Sequence, residues 1–148
     1  MDAAFGNILN FINMAVLASA PLLLATLGEI LTEKSGNLNL GVEGMMFMGA
    51  IASLGAAYGY EQAVTAAGGV PSALVATLVA TVSAAAVGAL GALIYAFLVI
   101  TLRANQNVTG LTLTIFGTGF ANFFGELIGK QAGGFVQVST ATKAMFAN

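Results

Sequence analysis

Four long apolar runs, parted by three polar interruptions, organise this sequence. The first extends from about Phe11 to Leu31, carries Pro21 inside it, and ends among Glu29, Glu33 and Lys34. The second covers about Val42 to Tyr60, the third Ser72 to Thr101 and the fourth Leu111 to Ile128. Three are close to the roughly 20 residues an α-helix needs to cross a hydrocarbon core, and the third run is longer, which permits tilt or extension beyond the bilayer. None shows the strict alternation of a half-buried strand. The pattern therefore predicts an all-α, polytopic bundle of about four transmembrane helices, forming one transmembrane domain over residues 1–148. A helix satisfies its own backbone hydrogen bonds, so it can lie in lipid where an open sheet edge cannot.

The interruptions differ from one another. Ser35-Gly36-Asn37-Leu38-Asn39-Leu40-Gly41 is dense in turn-forming residues, so the first two spans are joined by a broken polar segment. Glu61 to Pro71 is a loop punctuated by Gly68, Gly69 and Pro71, and Leu102 to Gly110 holds Arg103, Asn105, Gln106 and Asn107. From Gly129 to Asn148 the chain is a polar, glycine-bearing tail.

Composition turns this pattern into a statement about solvent. Of 148 residues, 58% are hydrophobic and 7% charged, with a mean hydropathy of +0.93. A soluble surface normally requires about 25% charged residues. The lipid bilayer is the expected partner. A net charge of −2, with no basic run, gives nucleic acid nothing to bind. The chain has neither Cys nor His, which removes thiol nucleophiles, imidazole bases, disulfides and His/Cys metal sites, and no cofactor is implied. Asp2 is the only early charge, so the N-terminus does not read as a cleavable signal. Basic residues divide two and two between the sides of a four-span topology, and the short loops tip Lys34 and Arg103 toward the cytoplasm.

Within the spans, polar residues are the candidate chemistry. Glu43 lies between Gly41 and Gly44, before Met45-Met46-Phe47-Met48. An ionisable group beside an apolar span is costly unless paired, hydrated or interfacial. It either carries an ion or proton or bonds backbone amides freed by the break, and the neighbouring glycines and asparagines favour the second. Glu29 and Glu33, one turn apart, read as an interfacial cap near Lys34. Thr114, Thr118 and Asn122 follow i, i+4 spacing and would share one face, either bonding a neighbouring helix or lining a hydrophilic path. Ala84, Gly88 and Ala92, and likewise Gly117, Ala121 and Gly125, form ladders of small residues suited to close helix contact. The Gly125 to Gln131 stretch lacks the spacing and hydroxyl of a P-loop, Gly117 to Asn122 lacks the last glycine of a dinucleotide fingerprint, and neither supports an enzyme.

Two stretches carry more than hydrophobicity. Pro21 to Met46, with its core Ser35-Gly36-Asn37-Leu38-Asn39-Leu40-Gly41-Val42-Glu43-Gly44, and Thr101-Leu102-Arg103-Ala104-Asn105-Gln106-Asn107-Val108-Thr109-Gly110-Leu111-Thr112-Leu113-Thr114 both resemble permease subunits of ABC importers for nucleosides and simple sugars, relatives of the branched-chain amino acid permeases. The resemblance implies alternating access to a central path. Its implied partners are a second permease subunit, a cytoplasmic ATPase that supplies ATP chemistry, and an extracytoplasmic solute-binding protein. It implies a multi-pass protein of the cell membrane with Arg103 cytoplasmic. It also implies a longer subunit, of which these residues are the N-terminal half. Asn37, Asn39, Glu43, Thr114, Thr118 and Asn122 are the expected path-lining or break-forming residues. Two other classes remain: an ion-translocating subunit using Glu43, and a small structural membrane protein.

Overall fold

The computed structural model describes residues 2–133. Of the polar tail expected from Gly129 to Asn148, the part beyond 133 lies outside the described residues. The described residues form four α-helices and no strand: α1 (Asp2–Lys34), α2 (Val42–Ala66), α3 (Ala73–Ala96) and α4 (Gln106–Gln131). They divide into two compact units, with the boundary between Asn39 and Leu40.

In the first unit, α1 continues through Pro21 and ends at Lys34. Its stop is built by Gly36, whose φ of +86° is easy for glycine alone. The Gly36 amide donates to Glu33 O and the Asn37 amide to Thr32 O, which satisfies carbonyls that the helix end would otherwise orphan.

The second unit is built around α2. Its contacts with α3 run antiparallel: Gly49 meets Ala84, and Met45 and Met48 meet Gly91. Those with α4 run parallel, Gly44 meeting Leu113 to Gly117, Ile51 meeting Gly125, and Gly55 meeting Ile128. Buried Met48, Tyr95, Val99 and Leu113 form the apolar cluster where the three helices meet, flanked by Met45, Val87 and Phe120. The Tyr60 hydroxyl accepts from the Ser72 amide at 3.2 Å and ties the α2–α3 loop. Asn105 starts α4, its Oδ1 accepting from the amides of Asn107 (3.0 Å) and Val108 (3.2 Å).

Three of these helices are long and apolar enough to span a bilayer: α1 from Gly6, α3 with its continuation to Thr101, and α4. The second expected span is present as α2, whose 25 residues reach about 37 Å at 1.5 Å each. Its glycines Gly44, Gly49 and Gly55 are what let two neighbours approach it closely. The third span also differs in detail. From Phe97 to Thr101 it widens to a π-helical turn, with Leu102 N bonded to Phe97 O at 3.1 Å and Ala104 N to Leu98 O at 3.0 Å. Arg103 follows with a left-handed φ of +55°.

A backbone seam and a polar face as the candidate functional site

The α2–α4 seam is made of main chain. A Cβ added at Gly44 would lie 2.7 Å from Thr114 Cα and closer still to Leu113 O. One added at Gly117 would meet Gly44 O and stand 2.6 Å from Gly44 C, and one at Gly110 would stand 2.8 Å from Leu40 N. Carbon atoms ordinarily approach to about 3.5–4.0 Å. Only glycine therefore fits at all three crossing points. The Thr114 hydroxyl crosses the same seam and donates to Leu40 O at 2.8 Å, satisfying a carbonyl just ahead of α2. Thr118 instead bonds back to Thr114 O at 2.9 Å along its own helix.

The polar break is held within the first unit by Glu29. One carboxylate oxygen accepts from the Asn39 amide at 2.8 Å and the other from the Thr32 hydroxyl at 3.0 Å. Asn39 is buried, and Asn37 donates to Ser35 Oγ at 3.3 Å. The expected cap by Glu29 near Lys34 is thus replaced by a bond ten residues along the chain, reached because the glycine stop turns the backbone back toward the helix. The anchoring of the break expected of Glu43 falls to Glu29 as well. Glu43 is exposed in the first turn of α2, where a carboxylate complements the helix dipole.

The six sequence-derived positions accordingly separate into two groups. Asn37, Asn39 and Thr114 take part in hydrogen bonds that shape the break and the seam. Glu43 and Asn122 are exposed, and Thr118 is partly so. On α2, one arc faces α4 (Gly44, Ile51, Gly55) and a second faces α3 (Met45, Met48, Gly49), which leaves Glu43, Phe47 and Ala50 on the third. On α4, Gly110, Gly117 and Gly125 face α2, and Leu113 joins the cluster with Tyr95 of α3; Leu111, Ile115 and Asn122 are exposed on the remaining side. Because α2 and α4 are parallel, right-handed helical winding puts both free arcs on the same side of the pair, opposite α3. Glu43, Thr118 and Asn122 thus share one face with the apolar Phe47, Leu111 and Ile115, and Glu126, paired with Lys130, follows one turn beyond Asn122.

Small-residue spacing located α4's contacts better than those of α3. Gly117 and Gly125 are contact points, whereas Gly88 meets nothing within 4 Å and Gly91, outside the expected ladder, receives Met48 and Met45. Glu29, read from its charge as a cap, has another role in holding the break, and Gly91 is the position sequence reasoning passed over. The only available signals were a carboxylate upstream of a glycine stop and a glycine seven residues past Ala84.

Comparison with known proteins places this helical arrangement. The family described as the branched-chain amino acid transport system permease component matches residues 10–147. The chain belongs to this family. Among its relatives, the putative glucose ABC transporter permease protein TsgC13 of Haloferax volcanii is 43% identical over 115 residues, covering 78% of this chain and 31% of that protein. The guanosine ABC transporter permease protein NupQ of Bacillus subtilis is 36% identical over 127 residues, covering 85% of this chain and 37% of that protein. The chain spans about a third of the length of these curated relatives. No solved structure gives a significant match. As a permease-family chain with several apolar helices, it is a multi-pass protein of the cell membrane.

Proposed function

We propose that the chain forms part of the permease of an ABC importer that carries nucleosides or simple sugars by alternating access. The observation that carries this reading is the line of Glu43, Thr118 and Asn122 on the face of α2 and α4 opposite α3. A carboxylate and an amide turned to acyl chains would each cost several kcal/mol, so this face suits a hydrated path or another polar surface. A carboxylate, a hydroxyl and an amide together accept and donate hydrogen bonds, which matches the hydroxyl groups shared by glucose and guanosine, the solutes for which the two relatives are named. In this reading the seam fixes the wall and the polar face meets the solute. Asn37, Asn39 and Thr114 act by holding the wall in place.

The permease contributes a path and no chemical step. ATP hydrolysis belongs to a separate cytoplasmic ATPase, with a second permease subunit completing the path and an extracytoplasmic binding protein delivering the solute. Helices interrupted by unwound, hydrogen-bonded segments are a recurrent way to build such paths at membrane depth. Uptake of radiolabelled guanosine and glucose into proteoliposomes holding the full complex tests the reading. ATP-dependent accumulation of either solute supports it. A complex that assembles, hydrolyses ATP and accumulates neither solute would refute it.

A further inference from the structure

A groove of about 370 Å³ opens between the end of α3 and the start of α4, on the opposite side of the second unit's α2–α4 pair from Glu43. Its walls are Ile94 and Leu98 on one side and Val108, Thr112, Leu113 and Phe116 on the other. Ile94, Val108 and Phe116 are each about half exposed or more, at 49%, 63% and 56%, so the groove is open along its length. Beyond its end lies Arg103. The Ala104 amide bonds to Leu98 O at 3.0 Å, folding the α3–α4 connection over Leu98, and Val108 begins the other wall five residues after Arg103. Arg103 is exposed and has no hydrogen-bond or ion-pair partner among the described residues. It also occupies a left-handed backbone position that costs any residue with a Cβ.

We propose that this groove binds one acyl chain of an anionic phospholipid whose phosphate is held by Arg103. The two halves of the site match the two halves of such a lipid. The walls belong to helices of membrane-spanning length, so an open apolar groove along them fits hydrocarbon. The cation sits at the helix ends, where headgroups lie. A guanidinium offers several donors in a planar fork suited to phosphate oxygens. Charge complementarity selects the lipid class: a net negative headgroup gains from a cation with no carboxylate placed against it, whereas a zwitterionic headgroup gains less. The inference needs only that these helices cross a bilayer, and it stands or falls independently of the solute carried.

Photocrosslinking tests it in membranes containing the full chain. Phosphatidylglycerol and phosphatidylcholine, each with a diazirine on one acyl chain, are incorporated at equal content, and labelled peptides are mapped by mass spectrometry. The expected result is phosphatidylglycerol labelling within residues 94–116, exceeding phosphatidylcholine labelling by about fivefold, the factor contributed by one basic residue near an anionic surface. Arg103→Gly should remove the preference without endangering the fold, because glycine accepts the left-handed φ. Arg103→Lys should retain most of it. Equal labelling by both lipids, labelling confined to other segments, or a preference that survives Arg103→Gly would each overturn the proposal. So would absence of labelling because another protein segment fills the groove, which chemical crosslinks from residues 94–116 to that segment would reveal.

Discussion

Replacing Gly44 with alanine tests whether main-chain contact governs the α2–α4 seam. The new methyl would stand 2.7 Å from Thr114 Cα and nearer still to Leu113 O. Normal contact is about 3.5–4.0 Å, so the helices must separate by about 1 Å. Neither opposing atom belongs to a flexible side chain, and the neighbour cannot rotate away. Overpacking of this kind costs about 1–3 kcal/mol. Separation also stretches the 2.8 Å bond from Thr114 to Leu40 O, worth about 0.6 kcal/mol in a membrane protein. Higher helix propensity of alanine returns about 1 kcal/mol at most. The net expectation is a loss of about 1–3 kcal/mol. Gly59→Ala is the matched control on the same helix, because a Cβ there meets nothing within 4 Å; it should be neutral or stabilising by up to about 1 kcal/mol. Unfolding of the full chain by SDS in mixed micelles measures both. Thr114→Val should cost stability in the original chain and almost nothing in the Gly44→Ala background, since coupled contacts are not additive. Equal stability of the Gly44→Ala and Gly59→Ala chains would refute the seam.

Two further outcomes follow from the break and the polar face. Glu29→Gln weakens the charge-assisted bond to the Asn39 amide, so hydrogen exchange at Asn39 should accelerate by about tenfold, equivalent to about 1.4 kcal/mol. Glu33→Gln, at an exposed side chain, should leave that exchange unchanged; identical rates in both variants would show that Glu29 does not hold the break. Asn122→Leu should preserve stability within about 0.5 kcal/mol, because the side chain is exposed, yet lower solute uptake by the full complex at least tenfold. Unimpaired uptake would remove Asn122 from the path.

Much of the helical architecture was legible because lipid demands so much of a sequence. Apolar runs of bilayer length and glycine–asparagine interruptions give periodic, local signals, and each expected run lies along one helix, although α2 continues to Ala66 and α4 starts at Gln106, inside the connections expected at Glu61 to Pro71 and Leu102 to Gly110. The motif around Asn37 to Gly44 also carried the family. Side-chain roles were less legible, for two physical reasons. First, i, i+4 spacing drifts by about 40° per step around a helix of 3.6 residues per turn. Thr114 therefore enters the seam while Asn122, two steps on, is exposed. Second, Glu29 and Asn39 meet across a chain reversal whose geometry depends on the left-handed Gly36. Charge and spacing alone pointed Glu29 toward Lys34. Similarly, which glycine of α3 touches α2 depends on where Met45 and Met48 arrive, information held on another helix.

In the proposed permease, Glu43, Thr118 and Asn122 line a hydrated solute path on the face opposite α3. These 148 residues contain no cysteine, so with any cysteines elsewhere in the complex replaced the reading is directly measurable. Single cysteines at Asn122 and Glu43, and one at Leu78 on the exposed surface of α3, are introduced into the full complex. Each is then challenged with a membrane-impermeant maleimide, with and without guanosine or glucose. Asn122→Cys and Glu43→Cys should be labelled at a rate that the transported solute slows, with Leu78→Cys unreactive in lipid. Reactive Leu78→Cys beside inert Asn122→Cys and Glu43→Cys, or labelling indifferent to both solutes, would contradict it.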